Sequence, residues 1–159
     1  MNKAIRNETQ IARLTQYSGT HKSEIVRDLL DETLERGEIN YSELGEMSNV
    51  SQPIEGLYLM GDPKFNPITN EPIYCVKVGL SYTSMSRRMN DYSTYNPVMY
   101  NQNYLYTTHD LTGILEELAQ IQLSKVGQLL PNTKEWFRVS RETYLEIMEK
   151  GFTYFSIKA

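Results

Sequence analysis

The chain has 159 residues, 40% of them hydrophobic and 23% charged, which is typical of a soluble globular protein of one ordinary domain. Its single cysteine excludes an intrachain disulfide framework and a cysteine-based zinc site. No apolar run approaches the roughly 20 residues needed to cross a bilayer, and the start of the chain lacks the apolar core of a signal peptide. We therefore expect a cytoplasmic protein without membrane contact.

The net charge of −4 argues against a generally basic nucleic-acid binder, because phosphate neutralisation supplies most non-specific affinity. The acidity is unevenly distributed, however. Residues 1–50 carry six Lys/Arg against nine Asp/Glu, whereas residues 51–159 carry ten against eleven. A few cations focused in one cleft of the nearly neutral part remain compatible with phosphate binding.

The first 50 residues form a helical N-terminal segment in our interpretation. Residues 7–18 and 23–36 both have helical patterns, with Ser23 as an N-cap and Gly37 as a stop. The turn-rich stretch 45–54 marks the boundary to a second unit over 51–159. We expect the acidic helical pair to be accessory, packing on the second unit or forming a homodimer.

From Glu55 onward the pattern changes to short strands that alternate with helices. The strands 56–61 and 73–80 form a hairpin with a long loop rich in Pro and Asn. The further predicted elements are a helix over 84–93, a strand over 98–107, a helix over 111–127, a strand or turn over 134–140, a helix over 141–150 and a strand over 152–157. Hairpins rather than βαβ units predict an α+β fold with an antiparallel sheet.

The side chains available for chemistry are Tyr, Lys, Arg and Glu. The sequence contains no Gly-rich phosphate loop, nucleophile elbow or HExxH helix. Phosphodiester hydrolysis needs a base for water, a cation against the pentacoordinate phosphate and a metal ion for the leaving oxygen. An arginine can supply the cation, and one carboxylate with waters can hold magnesium.

Four short motifs follow one another along the chain. They are Gly56–Leu57–Tyr58, Lys77–Val78–Gly79 in the next strand, SRRM at 86–89 in the following helix, and LEEL at 115–118 in a later helix. In this order they resemble the motifs of the GIY-YIG nuclease superfamily. The stretches VKVG, RMNDYSTYNP and EWF are similar to a phage-associated offshoot of that superfamily. The resemblance covers about residues 55–150. It implies a small sheet of about three antiparallel strands flanked by helices, and a phage or mobile-element endonuclease in a bacterial or phage-infected cell.

The resemblance also implies roles for individual residues. Tyr58 would be the general base, Lys77 would act beside it and Arg88 would stabilise the phosphate. Glu116 would hold one Mg²⁺ or Mn²⁺ ion, with Glu117 as the alternate ligand. The same residues also have explanations without a catalytic role, namely a tyrosine packed on a strand, a lysine that faces solvent and a solvated pair of glutamates.

Three further residues are expected to contact DNA, namely Arg87, Ser81 and Tyr92. Two other functions stay open. A catalytically inactive module of the same fold could bind nucleic acid or a host protein, which the acidic balance favours. Alternatively, the N-terminal helices, where KSEIVRDLL resembles the second helix of a ribbon-helix-helix repressor, could make the protein a DNA-binding regulator.

Overall fold

The computed structural model describes residues 39–65, 71–95, 101–131 and 135–157. The helices predicted over 7–18 and 23–36, and the homodimer contact expected from them, lie outside these residues. Within the described ranges, none of the helices has both the length and the apolar character needed to cross a membrane.

The described residues form four α-helices, six strands and one 3-10 helix. In chain order they are α1 (Tyr41–Leu44), β1 (Glu46–Ser48), β2 (Gly56–Phe65), β3 (Pro72–Ser81), α2 (Met85–Tyr95), β4 (Asn101–Tyr106), α3 (His109–Val126), β5 (Gln128–Leu129), β6 (Trp136–Val139), α4 (Arg141–Lys150) and the 3-10 helix (Gly151–Phe155).

All six strands belong to one antiparallel sheet in the order β1-β4-β2-β3-β6-β5. The protein is α+β, but the expectation of a sheet of about three strands is wrong. The strands β1 and β5 have three and two residues, too few for an alternating pattern to emerge from the sequence, whereas β6 lies within the stretch predicted as a strand or turn. The central hairpin is also longer than expected, because β2 and β3 stay paired as far as Phe65 and Pro72.

The two faces of the sheet bury different kinds of side chain. One face carries aliphatic residues that pack against α3, α4 and the 3-10 helix, since successive residues of a strand point to opposite faces. Its buried members on the four longer strands are Leu57, Leu59, Val76, Val78, Leu105, Phe137 and Val139. The other face carries tyrosines and methionines and is covered by α2.

The segment that precedes β1 closes the aliphatic core together with the end of the chain. Ile39 forms an isolated bridge with Ile157, and Tyr41 packs face to face on Phe152 at 6.2 Å between ring centroids. The strand predicted over 152–157 is wrong over most of its length. Gly151 adopts a left-handed φ of 58°, and the following 3-10 turn directs Phe152 and Phe155 together into the core.

Candidate active site

Tyr58 occupies the centre of the tyrosine-bearing face. It lies on β2 directly opposite Gly79 on β3, and directly paired residues share a face of the sheet. The phenol ring extends across the glycine so closely that a β-carbon there would overlap Cζ and the phenol oxygen and stand 2.8 Å from Cε1. Only glycine permits this approach, and the ring it accommodates is completely buried.

Lys77 lies two residues before Gly79, on the same face of the same strand. Its Nζ atom is 5.7 Å from the centre of the Tyr58 ring, within the range of a cation–π contact. Nζ is also 3.1 Å from Oε2 of Glu135 and 6.0 Å from the centre of the Trp136 ring. Only 10% of the Lys77 side chain is exposed, so its positive charge is held between two rings and a carboxylate.

Helix α3 approaches the sheet along β3. Strand β6 pairs with β3 only as far as Lys77, which lies opposite Trp136. Beyond this pair, the carbonyl of Val78 accepts a hydrogen bond of 3.0 Å from Nε2 of Gln120 on α3. Toward the start of the helix, Gly113 adjoins the Tyr82 hydroxyl, which a β-carbon would approach to 2.9 Å. One flank of α3 therefore runs antiparallel to the last residues of β3.

Glu116 and Glu117 lie on α3 between these two contacts. Residues one turn apart lie on the same flank of a helix. Glu116 therefore shares a flank with Gln120, and Glu117 shares one with Gly113. Their exposed fractions are only 4% and 6%, although carboxylates are rarely buried without compensation. Both candidate metal ligands are thus enclosed beside the part of β3 that contains Gly79.

Helix α2 covers the tyrosine-bearing face through Met85 and Met89, which join the same buried cluster as Tyr58. At 100° per residue, Arg88 flanks this methionine stripe, whereas Arg87 points away from the sheet. Both arginine side chains are exposed. The geometry places Arg88 at the border between the buried cluster and solvent, and Arg87 wholly on the outside.

The start of α2 is fixed by hydrogen bonds from neighbouring loops. Its first two amides donate to the carbonyls of Ile54 and Gln52, at 3.1 and 3.0 Å. Ser81 donates from its hydroxyl to the carbonyl of Ser84 at 3.3 Å, and it thus stabilises the turn between β3 and α2. Tyr92 belongs to α2, but its side chain lies outside the described part of the structure.

Two more tyrosines complete the packed face beside Tyr58. Tyr104 is paired with Tyr58 across β4 and β2, and its ring stacks on that of Tyr106 at 6.1 Å with 15° between the planes. Burial raises the pKa of Tyr104 to about 12 and also raises the pKa of Tyr106. The Tyr106 hydroxyl donates to the carbonyl of Val50 at 2.8 Å. These rings are used for packing and are not free to stack on bases.

The structure brings two of the expected residues into direct contact and carries the others on two neighbouring helices. Tyr58 and Lys77 are in contact, α2 brings Arg88 to the rim, and α3 brings the two glutamates to the edge of β3. Glu135 was not predicted to belong to this cluster. The EWF motif was the signal that could have found it, because the glutamate directly precedes the strand paired with Lys77.

Magnesium fits the oxygen donors that α3 supplies. Within the described residues, no three His, Cys, Asp or Glu side chains are grouped so as to hold a metal ion. An all-protein cage is thus absent from that part of the chain, whereas an ion held by one carboxylate, waters and a substrate phosphate needs no such group. Glu116 and Glu117 are both buried, and a bound divalent cation would compensate the burial of a carboxylate charge.

Comparison with known families places most of these residues in one recognised domain. The family described as T5orf172 domain matches residues 56–151, which include both central strands, α2, α3, β6 and α4. No curated protein and no solved structure matches the chain. The matched domain is phage-associated and indicates a nuclease-like or DNA-binding function. Because the match spans more than half of its 159 residues, the chain belongs to the T5orf172 domain family.

Proposed function

We propose that this protein is a metal-dependent DNA endonuclease of the GIY-YIG type. The observation that carries the proposal is the packing of Tyr58 across Gly79 with the Lys77 ammonium 5.7 Å from its ring centre. A phenol held rigidly beside a positive charge has the geometry of a general base for water.

The remaining roles are those that the family resemblance implies for residues of α2 and α3. Tyr58, after loss of its own proton to solvent, takes a proton from the attacking water as the phenolate, and the water oxygen bonds to phosphorus while the bond to the leaving sugar oxygen breaks. Arg88, at the rim of the cluster, stabilises the charge that develops on the phosphate. Glu116, with Glu117 as the alternate, holds one Mg²⁺ or Mn²⁺ ion, which when bound stabilises charge on the leaving oxygen.

A second function, binding of nucleic acid without cleavage, is favoured by one observation. Tyr58 is completely buried, so its hydroxyl is not exposed to a phosphate in this conformation. In that reading Tyr58 packs the sheet, and the exposed Arg87 and Arg88 contact the DNA backbone. The two functions differ in whether a bound substrate is turned over.

Cleavage of plasmid and branched DNA, with and without divalent metal, tests the proposal. We expect cleavage with Mg²⁺ or Mn²⁺, and its abolition by EDTA and by Glu116→Gln. Glu142→Gln removes an exposed carboxylate from α4 and serves as the control, which should cleave normally. If Glu117→Gln abolishes cleavage and Glu116→Gln does not, Glu117 is the metal ligand. DNA that is bound but not cut under any of these conditions would establish the binding function instead.

A further inference from the structure

The EWF motif at the start of β6 places three neighbouring side chains in three different environments. Phe137 is buried on the aliphatic face opposite Val76. Trp136 is paired with Lys77 and partly buried on the tyrosine-bearing face. Glu135 precedes the strand and directs its carboxylate back to Lys77 at 3.1 Å. Two of the three residues therefore contact one lysine.

We propose that Glu135 is a positioning residue, which holds the Lys77 ammonium against the ring of Tyr58. The inference rests on the proposed function of that site. An ammonium group on a flexible four-carbon stem loses rotational freedom when it is fixed in one place. It also loses hydration, because only 10% of the Lys77 side chain is exposed. The carboxylate compensates both losses by a charge-assisted contact.

The two rings alone do not fix the ammonium as a carboxylate does. The ring centres of Tyr58 and Trp136 are 5.7 and 6.0 Å from Nζ, near the outer limit of a cation–π contact of about 6 Å. The Glu135 oxygen is the closest of these partners and comes from outside the hairpin that carries Tyr58 and Lys77. Its position is set by the pairing of β6 with β3, so the sheet register determines where the lysine charge lies.

The same chain offers a matched control pair. Lys150 and Glu146 form an ion pair of 2.8 Å on the surface of α4, with 52% and 48% of their side chains exposed. Because both side chains are well solvated, this ion pair does not hold any third side chain in place. Glu135→Gln and Glu146→Gln make the same chemical change in a partly enclosed pair and in an exposed one.

The position of Lys77 is measured by the NMR signal of its terminal methylene, assigned by its absence in Lys77→Arg. The rings of Tyr58 and Trp136 should displace this signal from the position of an exposed lysine, because Nζ lies 5.7 and 6.0 Å from their centres. Glu135→Gln should move it toward the exposed value, and Glu146→Gln should leave it in place. A Lys77 signal unchanged in Glu135→Gln overturns the inference, whether or not the protein cleaves DNA.

Single-turnover cleavage then tests whether Glu135 acts through Lys77. Glu135→Gln should slow cleavage on the order of 10- to 100-fold, as expected for a misplaced group. Adding Glu135→Gln to Lys77→Met should cause no further loss, because the group it positions is already gone. Losses that multiply in the double variant overturn the inference. A wild-type protein without cleavage, but with a signal that shifts in Glu135→Gln, refutes the endonuclease and leaves the positioning intact.

Discussion

Replacing Gly79 with alanine perturbs the central contact of the proposed site with a single methyl group. The added β-carbon would overlap Cζ and the hydroxyl oxygen of Tyr58 and stand 2.8 Å from Cε1. Real β-carbons essentially never come closer than 3.0 Å to such neighbours, so the ring must move. The ring is enclosed by a buried cluster that includes Met60, Met85 and Tyr104, and these side chains must move with it.

The expected cost follows from overpacking of a well-packed interior, which is typically about 1–3 kcal/mol. For a protein of this size each kcal/mol lowers Tm by roughly 2–4 °C, so Gly79→Ala should lower Tm by about 2–12 °C. Gly79→Ala should also slow cleavage strongly. A displacement of about 1 Å of a reacting group costs on the order of 100-fold in rate.

Thermal unfolding and single-turnover cleavage measure the two effects, and Gly113→Ala is the matched control. A β-carbon at position 113 meets only the hydroxyl end of Tyr82, a side chain that is 46% exposed and can shift. Within α3 the alanine is also a better helix former than glycine by about 1 kcal/mol. Gly113→Ala should therefore leave Tm unchanged or higher, and the rate close to that of wild type.

The result that would refute this reasoning is a Gly79→Ala variant with wild-type Tm and wild-type cleavage. Such a protein would show that the Tyr58 ring does not depend on its position across Gly79. A lower Tm with full cleavage would also be informative, because it would confirm the packing while removing the ring from the chemistry.

Three further predictions concern other parts of the molecule. Arg88→Ala should slow single-turnover cleavage on the order of 100- to 1,000-fold with little loss of DNA affinity, whereas Arg87→Ala should weaken binding and flatten its salt dependence by about one unit of slope. Reversed phenotypes would assign the role of Arg88 to Arg87. Tyr41→Phe should cost about 0.5–1.5 kcal/mol in urea unfolding, because it removes the buried hydrogen bond of 2.9 Å from the Tyr41 hydroxyl to the carbonyl of Leu115. Finally, burial raises the pKa of Tyr104 from 10.0 to about 12, so the stability that its neutral phenol contributes is complete below pH 10 and is lost as pH rises through 12. A urea midpoint that stays constant across this window would contradict the prediction.

The central hairpin follows from local patterns, whereas the place of Lys77 beside Tyr58 was implied by the family resemblance. Two short β-rich segments flanked by glycines predicted the hairpin, which the structure confirms with longer strands and a shorter loop. Helix α4 was predicted over residues 141–150 and is confirmed there. Elements of ten or more residues carry enough periodicity to be recognised without knowledge of their neighbours.

The parts that were missed depend on contacts between distant segments. β1 and β5 consist of three and two residues, and they are strands only because β4 and β6 supply hydrogen-bond partners. Likewise, two adjacent glutamates on a helix are ordinarily solvated, whereas Glu116 and Glu117 are both buried. The sequence of α3 shows its apolar stripe, but it does not show that the flank carrying the two glutamates is also buried.

Cleavage by Tyr58→Phe tests the central claim most directly. Phenylalanine keeps the ring across Gly79 and the cation–π contact with Lys77, so the fold should lose no more than about 1.5 kcal/mol of stability. Loss of the phenol removes only the proposed base, and the single-turnover rate should fall on the order of 100- to 10,000-fold at unchanged DNA affinity. A folded Tyr58→Phe protein that cleaves DNA at the wild-type rate would contradict the account.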